Sequence, residues 1–397
     1  MTQLLLAYDF PPIGGGISRM MGELARRYPP GSLVVSTGSH GGSDKVDAAL
    51  PNKVDRVGIA SRRLRTVQGL LAWSVRAARI ARAVRPDFVW CGNFKPAGYP
   101  AAWIKRRTGT PYGIVFYGTD LLLLQRQSRQ SAAKRRTARA LIASAAVLVA
   151  ISQWTRELCL SVLEQLGISS REVDVRTLAL GTDPEHFRPG VATSLVRERY
   201  GLDGRQWLIT VARLTQHKGI DTGLQVLAQL RDRYPELGYA VVGSGGDLPR
   251  LQAIAHELGV SDRVRFLSNV PDADLPALYN SAGIYLGLSR QMEGNVEGFG
   301  ISLVEAGACG LPVVGGRSGG IPDAVRDGET GLLVNAAGPD EAAAAVSRLL
   351  DDKMLAQRLG VGGRQAVETY YNWNRVAAEL QRIGQEVTVK LAPGAHL

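Results

Sequence analysis

The sequence predicts an α/β protein with two doubly wound, Rossmann-like domains that face a central cleft. Short apolar runs alternate with segments of helical periodicity along its 397 residues, a pattern typical of parallel sheets covered by helices. The alternation begins again near residue 207, after the loop-like segment HFRPG at 186–190. We therefore predict a first domain at 1–187 and a second at 188–371, with a C-terminal helix at about 372–388 that packs back on the first domain.

The first predicted domain contains six apolar runs that suit buried strands, separated by helical segments. The predicted strands are 4–10, 32–37, 87–92, 111–118, 145–152 and 175–180. The predicted helices are 18–28, 62–84, 99–107, 122–143 and 153–166. Parallel strands need a crossover between them, so this order favours a parallel sheet whose ligands bind beyond the carboxyl ends of the strands.

The second predicted domain repeats this arrangement. Its predicted strands are 207–213, 239–246, 263–270, 282–289, 311–316 and 331–334. Its clearest predicted helices are 221–232, 301–309 and 339–351. The acidic turn Asp272-Ala273-Asp274 stands directly before Leu275, where acidic residues serve as helix caps, so we predict no metal site there or elsewhere.

Basic residues are concentrated in the first half of the chain. The net charge is +11, but residues 1–190 carry +14 and the remainder carries −3. Between Arg56 and Arg139 there are 18 basic and 2 acidic residues. This asymmetry predicts an anionic partner for the first domain: a membrane surface, a nucleic acid or a charged acceptor. No zinc-finger or RNA-binding signature is present, so nucleic acid is not expected as the partner.

The predicted helix at 62–84 is amphipathic. Its helical spacing places five apolar residues on one face: Leu64, Val67, Leu71, Val75 and Ala78. Another face carries an outward Trp73 and four arginines: Arg62, Arg65, Arg76 and Arg79. Arginines beside an outward tryptophan suit the surface of an anionic membrane. The alternative is an ordinary domain helix with a solvated basic face.

The cysteines and the N-terminus bear on the compartment. Cys91, Cys159 and Cys309 form no CxxC pair and leave an odd count, so we expect a reducing compartment. The N-terminus runs directly into a strand rather than a signal sequence, and the longest apolar run, 140–151, is too short to span a bilayer. We therefore expect a cytoplasmic protein that is peripheral on the inner face of the cell membrane.

Two groups of residues could bind phosphates at the carboxyl ends of predicted strands. Gly14–Gly16 follow a strand and precede a helix, where glycines let a phosphate or a sugar approach the backbone. A plain tight turn is the alternative. Arg213 and Lys218 lie in one turn, where two cations can clamp a diphosphate unless they are a solvated loop pair.

Glu297 and Glu305 are two carboxylates eight positions apart in the segment EGFGISLVE. Between them lie backbone N–H groups at the start of a predicted helix, and a helix N-terminus favours an anion. Carboxylates prefer hydroxyls or cations, so the pair predicts a ligand with both hydroxyls and phosphates, such as a sugar nucleotide. The alternative is a helix-start glutamate beside a surface glutamate.

Six motifs follow one another in a characteristic order. They are PPIGGG, ARLTQHKGID, VVGSGG, RVRFLSNVPDADLPALYNSA, EGFGISLVEAGACGLPVVGGRSGGIPDAV and DGETGLLV. This order resembles that of the family-4 retaining glycosyltransferases with the GT-B fold, over most of the chain. The resemblance implies transfer of a hexose from a nucleoside-diphosphate sugar, a UDP or GDP sugar, with retention at the anomeric carbon. It implies neither a metal nor another cofactor.

The resemblance also implies residue roles. Arg213 and Lys218 would bind the donor diphosphate and stabilise the leaving group. Glu297 would contact the hydroxyls of the donor sugar, and Glu305 would hold the ribose hydroxyls. Further donor-binding residues, acting mostly through their backbone, would be Gly15, Gly16, Gly243, Val264, Asn269, Phe299, Gly300 and Ile301.

One position departs from the family pattern. Where the family commonly has a His-Gly pair, this sequence has Tyr117-Gly118-Thr119-Asp120. Tyrosine donates hydrogen bonds but does not titrate near neutrality, so Tyr117 would serve by hydrogen bonding alone. Asp120 is a candidate for positioning the acceptor, with a helix N-cap as the alternative.

These observations predict a hexosyltransferase whose acceptor is lipid-linked or a glycan at a membrane surface. A transferase with a soluble small-molecule acceptor is the first alternative. The others are a sugar-nucleotide epimerase or hydrolase on the same fold, and a non-catalytic sugar-nucleotide binder, which the tyrosine at position 117 would favour.

Overall fold

The computed structural model describes residues 1–391, which form two compact units. Unit 1 contains Met1–Leu178 together with the C-terminal segment that begins at Trp373. Unit 2 contains Ala179–Asn372. Within residues 1–391 no helix has both the length and the apolar character needed to cross a lipid bilayer.

The change from unit 1 to unit 2 occurs nearer the N-terminus than the predicted boundary at residue 187. The segment after Leu178 is bonded to the second unit, because Arg364 donates hydrogen bonds to the carbonyls of Pro184 and Phe187, at 2.8 and 2.9 Å.

Unit 1 is a parallel sheet covered by helices. Its strands are β1 (Gln3–Leu6), β2 (Leu33–Ser39), β3 (Lys53–Ala60), β4 (Phe88–Cys91), β5 (Tyr112–Phe116), β6 (Val147–Ala150) and β7 (Asp174–Thr177). Its first helices are α1 (Gly16–Arg27), α2 (Ser43–Ala48), α3 (Val67–Val84), α4 (Gly98–Thr108), α5 (Thr119–Gln130), α6 (Ala132–Ala143) and α7 (Gln153–Leu166). The strand order is β3-β2-β1-β4-β5-β6-β7. The edge strand β3 has no predicted counterpart, because its apolar residues alternate with charged ones and are half exposed.

Helix α3 differs from the predicted amphipathic helix at 62–84. Residues 61–65 form a separate 3-10 turn, and Thr66 caps a new helix by accepting a hydrogen bond from the N–H of Gly69, at 3.1 Å. The break rotates the later residues relative to the predicted faces. Trp73 is buried and donates to the hydroxyl of Ser36 at 3.1 Å, so its predicted outward position is wrong. Two apolar residues that were predicted to share a face with buried Leu64 are instead exposed: Val67 and Leu71.

Unit 2 repeats the same architecture. Its strands are β8 (Gln206–Val211), β9 (Leu237–Val242), β10 (Val264–Leu267), β11 (Ile284–Gly287), β12 (Val313–Gly316) and β13 (Leu332–Val334). Its helices are α8 (Ser194–Tyr200), α9 (Ile220–Leu230), α10 (Leu248–Glu257), α11 (Leu275–Asn280), α12 (Ile301–Ala308), α13 (Ile321–Ala324), α14 (Asp340–Asp351) and α15 (Lys353–Thr369). The strand order is β10-β9-β8-β11-β12-β13, all parallel. Each of the six predicted strands overlaps one of these.

The last helix, α16 (Trp373–Leu391), belongs to unit 1. Buried Gln3 on β1 holds it in place, because its amide nitrogen donates to the carbonyl of Gln381 at 3.0 Å. The amide oxygen of Gln3 accepts from Tyr28 and Trp90, at 3.1 and 3.0 Å. All of these buried polar groups therefore have partners.

Both sheets reverse their strand order at one place. In unit 1 the reversal lies between β1 and β4, and in unit 2 it lies between β8 and β11. The chain leaves such neighbouring strands toward opposite faces of the sheet, which opens a crevice beyond their carboxyl ends. The loops after these four strands are therefore where each unit can hold a ligand.

Candidate functional site

The crevice of unit 2 brings one of the predicted cations, Lys218, into contact with one of the predicted carboxylates, Glu297. Arg213 and Lys218 lie in the loop after β8, and Glu297 lies in the loop after β11. The ammonium of Lys218 forms an ion pair with the carboxylate of Glu297, and their side chains are only 15% and 19% exposed. The hydroxyl of Ser289 lies 3.5 Å from the same carboxylate oxygen. A cation and an anion thus occupy one point of the crevice.

The guanidinium of Arg213 is differently placed. Arg213 is exposed, and within residues 1–391 no carboxylate forms an ion pair with it. Because both Arg213 and Lys218 follow β8, an anion at this edge of the sheet can meet an unpaired arginine and a lysine that already has a partner.

The backbone of Glu297 is fixed by the glycine turn at 318–320. The N–H of Gly320 donates to the Glu297 carbonyl at 2.8 Å. Gly319 has φ +55, and a Cβ atom there would lie 2.3 Å from the same carbonyl oxygen. Glycine is required at this position for both reasons, so the turn sets the place from which the Glu297 side chain reaches the crevice.

Helix α12 begins directly after this loop. Its capping residue Gly300 has φ +97, and the ring of Phe299 is buried, 6.2 Å from the ring of Tyr371. The first N–H groups of a helix lack intrahelical acceptors and carry a partial positive charge. The backbone from Phe299 to Ile301 is therefore suited to an anionic group, as the sequence predicts.

Glu305 lies one turn further along α12 and is 3% exposed. The buried hydroxyl of Tyr279, on α11, donates to its carboxylate at 2.8 Å. Burial raises the pKa of Tyr279 well above its usual 10, and the charge of Glu305 raises it further, so the hydroxyl stays a donor. A carboxylate has about four lone-pair directions, more than the bond from Tyr279 uses.

The loops after β9 and β10 form another wall of the crevice. Gly243 follows β9 with φ +141, and a Cβ atom there would lie 1.9 Å from the carbonyl oxygen of Ala212. Asn269 follows β10, is exposed and adopts φ +56. Val264 is different: it begins β10, at the amino end of the strand, and belongs to the core of unit 2.

The sequence analysis overlooked His217, which lies between the two cations. Its ring nitrogen Nδ1 is 3.2 Å from the hydroxyl of Thr215, and its carbonyl accepts from the N–H of Arg290 at 2.8 Å. Burial, together with the charge of Lys218, lowers its pKa to about 4. His217 is therefore neutral near pH 7. Its position in the motif QHKG is the signal that could have identified it.

A bidentate ion pair joins the loop after β11 to helix α9. Arg290 donates to both oxygens of Asp221, at 2.8 and 2.7 Å, and Arg250 approaches one of them at 3.3 Å. Burial alone would raise the pKa of Asp221, but the hydrogen bond and charge of Arg290 lower it. The ion pair therefore fixes the beginning of the segment that leads from Arg290 to Glu297.

Unit 1 places the glycine-rich turn at its own crevice. Gly14–Gly16 are exposed, and α1 begins at Gly16. The guanidinium of Arg56 donates to the carbonyl of Pro11 at 2.7 Å, which supports the start of the turn. Across the strand reversal, the amide of Asn93 after β4 donates to the carboxylate of Asp9 at 2.9 Å.

Tyr117 and Asp120 lie after β5. The hydroxyl of Tyr117 is buried and donates to the carbonyl of Gly92 at 2.8 Å, so in this conformation it has no hydrogen to offer a sugar. One oxygen of Asp120 accepts from the N–H groups of Tyr117 and Leu121, both at 3.0 Å, as a residue at a helix start does. The other oxygen is buried without a partner, and burial raises the pKa of Asp120 to about 6.

The predicted acidic cap before α11 also differs from expectation. Asp274 precedes the helix but makes no capping hydrogen bond with its side chain. Its carboxylate accepts instead from Arg199 and the hydroxyl of Tyr200, at 2.8 and 2.6 Å.

Comparison with known proteins relates both units to glycosyl transferases. A family model described as glycosyl transferases group 1 matches residues 195–366, and a model of the glycosyl transferase 4-like domain matches residues 15–164. A GDP-mannose-dependent alpha-(1-6)-phosphatidylinositol monomannoside mannosyltransferase of Mycolicibacterium smegmatis is 32% identical over 390 residues. That similarity covers 96% of this chain and 97% of the relative.

Two further similarities are weaker, one because it covers only part of the chain and the other because the sequence identity is low. A D-inositol 3-phosphate glycosyltransferase of Corynebacterium jeikeium is 36% identical over 242 residues, which cover 58% of this chain and 55% of that protein. Among solved structures, HepE of Anabaena in complex with UDP-glucose has a TM-score of 0.77 at 20% identity. It covers 97% of this chain and 100% of its own, and at this identity the likeness concerns the fold.

Proposed function

This chain belongs to the family-4 glycosyltransferases of the GT-B fold, and from that premise we propose that it transfers mannose from GDP-mannose to a phosphatidylinositol mannoside. The observation that carries the proposal is the ion pair between Lys218 and Glu297 at the crevice of unit 2, with Arg213 in the same loop as Lys218 and Glu305 on the helix that follows Glu297. The donor and the acceptor are those of the Mycolicibacterium relative, which is similar over almost the whole chain.

The donor would be held by groups of opposite character. The guanidinium of Arg213, the ammonium of Lys218 and the first turn of α12 would bind the diphosphate and stabilise the charge that develops as it leaves. Lys218 has three hydrogens, so it can face Glu297 and a phosphate oxygen together. Glu305, held by Tyr279, would accept hydrogen bonds from the ribose hydroxyls.

Glu297 would bind the sugar itself. Its carboxylate would accept hydrogen bonds from mannose hydroxyls while Lys218 balances its charge. In a transfer with retention, the acceptor hydroxyl forms its bond to the anomeric carbon on the face from which the diphosphate departs. The leaving phosphate can then take the proton of the acceptor hydroxyl. The product keeps the anomeric configuration of the donor.

Unit 1 would provide the acceptor side. The exposed turn at Gly15 and Gly16 would contribute backbone contacts to the substrates, and Asp120 would position the acceptor. Tyr117 would act through the backbone it supports at Gly92 rather than by touching the sugar. The basic surface of this unit would hold the protein at an anionic membrane, on the cytoplasmic side.

The test measures transfer from radiolabelled GDP-mannose, with UDP-glucose for comparison, to phosphatidylinositol monomannoside. We expect transfer from GDP-mannose, and Glu297→Gln should lower kcat about 100-fold because its contacts to the sugar strengthen in the transition state. Glu293→Gln is the matched control, because Glu293 is exposed in the same loop. Equal loss in both variants would contradict the proposed role of Glu297.

A soluble acceptor is the second candidate, since the Corynebacterium relative is an inositol 3-phosphate glycosyltransferase. Offering inositol 3-phosphate in the same assay separates the two. Preference for that acceptor would replace the lipid proposal. Release of free mannose, or epimerisation of the donor with no acceptor present, would instead indicate a hydrolase or an epimerase.

A further inference from the structure

Three helices of unit 1 enclose an open apolar groove that the proposed chemistry does not use. Helices α3, α4 and α6 line a volume of about 760 Å³. Val67 and Leu71 enter it from α3, Trp103 from α4 and Ala140 from α6. The side chains of Val67 and Leu71 are 87% and 55% exposed. Large apolar side chains gathered at a groove, unlike scattered ones, indicate a binding surface.

The charge on the helices around this groove is strongly positive. The three helices hold ten cationic residues, three on α3, three on α4 and four on α6, and no carboxylate. One of the ten, Arg76, is paired with Asp55 of β3 at 2.6 Å. Arg106 and Arg107 line the groove itself, and the guanidinium of Arg107 lies 5.8 Å from the ring centre of Trp103. Within residues 1–391 neither arginine forms an ion pair, so both are available to an anionic partner.

A further cation lies beside the groove. The ammonium of Lys95 lies 6.0 Å from the ring centre of Tyr99, which lines the groove, and 5.3 Å from that of Phe94. Burial lowers the pKa of Lys95, and the charge of Lys134 at the start of α6 lowers it further. Within the described residues neither lysine forms an ion pair, so both can meet a phosphate.

These features together fit one kind of partner. A second copy of this chain would bring the same ten cations against them, which opposes self-association through this face. A nucleic acid would satisfy the cations but would leave Val67 and Leu71 in water. An anionic phospholipid satisfies both, because its acyl chain is apolar and its phosphate is negative.

We propose that the groove between α3, α4 and α6 receives an acyl chain of an anionic membrane phospholipid, whose phosphate is held by the cations on the rim. The inference rests on the proposed function in one respect, namely that a lipid acceptor brings the protein to a membrane. It assigns the contact to a groove rather than to the flat face of one amphipathic helix.

The first test compares two sets of substitutions in binding to vesicles of phosphatidylglycerol and phosphatidylcholine. Val67→Ser with Leu71→Ser removes apolar surface from the groove and leaves every charge in place. We expect vesicle affinity to fall at least about tenfold, since each exposed aliphatic side chain gains from burial in the lipid. Leu123→Ser is the matched control, because Leu123 is 54% exposed on α5 outside the groove. Equal affinity of the two variants would overturn the proposal.

The second test reports insertion directly. Of the six tryptophans only Trp103 lines the groove. Vesicles with brominated acyl chains should therefore quench part of the tryptophan fluorescence of the wild type, and this quenching should be lost in the Trp103→Phe variant. Equal quenching in the wild type and the variant would overturn the proposal. A dimer in sedimentation that the Val67→Ser, Leu71→Ser variant dissociates would also overturn it, in favour of a second copy.

The outcome is separate from that of the transfer assay. The groove variant should retain mannose transfer to a water-soluble mannosyl acceptor without acyl chains, because the groove is remote in sequence from the donor-binding loops. Loss of that activity with unchanged vesicle binding would contradict the groove. Groove-dependent vesicle binding without any mannose transfer would uphold this inference and contradict the proposed function.

Discussion

At the scale of single residues, Glu305 shows how a charge is kept inside the protein for use. A carboxylate with 3% exposure is costly unless it is hydrogen-bonded, and the hydroxyl of Tyr279 supplies a bond at 2.8 Å. The ring centre of Tyr285 lies 5.9 Å from that of Tyr279, but the hydroxyl of Tyr285 donates instead to the hydroxyl of Ser302, at 2.7 Å. Two buried tyrosines of similar environment thus differ in whether they hold the carboxylate.

That difference provides a matched pair of variants. Tyr279→Phe removes a hydrogen bond to Glu305 and should weaken GDP binding by about 1–3 kcal/mol, as for a hydrogen bond to a charged group. Tyr285→Phe should destabilise the fold without a comparable effect on GDP. Calorimetric titration and urea unfolding of both variants check this. Equal GDP affinities would mean that Tyr279 does not position Glu305.

Asp120 makes stability depend on pH. Burial raises its pKa from 3.8 to about 6, so the folded state binds this proton more tightly than the unfolded chain. The resulting contribution to stability is full below about pH 4 and is lost as the pH rises through 6. Asp120→Asn removes the ionisation. The variant should therefore gain about 1–3 kcal/mol relative to the wild type between pH 4 and pH 7.5.

Urea unfolding at both pH values measures this gain, and a difference that does not change with pH would contradict it. If Asp120 also positions the acceptor, the same variant should raise the KM for the acceptor and leave the KM for GDP-mannose unchanged.

At the scale of elements, the loop after β11 depends on a bond to α9. Arg290 and Asp221 form two short hydrogen bonds between partly buried side chains, 25% and 16% exposed. The loop continues from there to Glu297, whose backbone meets the glycine turn at 318–320. Two fixed points, one at each end, therefore determine where the carboxylate of Glu297 lies.

Arg290→Gln tests the contribution of the bond between Arg290 and Asp221. Asp221 keeps only its longer contact with Arg250, so we expect a loss of about 1–3 kcal/mol in stability and weaker GDP binding. Because the pKa of Asp221 is lowered, the loss should be present above pH 4 and vanish as the pH falls below 3.8. Arg317→Gln is the control, since its pair with Asp327 is 56% and 45% exposed and should contribute little. A similar loss in both variants would contradict the role of the Arg290–Asp221 bond.

At the scale of the whole molecule, the strands of unit 2 could be predicted from the sequence, because their residues are largely buried and local pattern and tertiary position agree. The donor-site motifs lie directly after these strands, and the roles of their residues stay a prediction. The faces of α3 could not be predicted, because the cap at Thr66 restarts the helix and the bond from Trp73 to Ser36 joins distant segments. The hydroxyl of Tyr117 turns inward for a similar reason, since its acceptor at Gly92 lies 25 residues away in the chain.

The ion pair between Lys218 and Glu297 has a consequence for selectivity. Inorganic phosphate competes with the carboxylate of Glu297 for Lys218 and supplies no sugar hydroxyl to that carboxylate. A nucleotide sugar brings its phosphate and its hydroxyls together, so it compensates both members of the pair at once. We therefore expect inorganic phosphate to compete poorly with an intact nucleotide sugar at this ion pair.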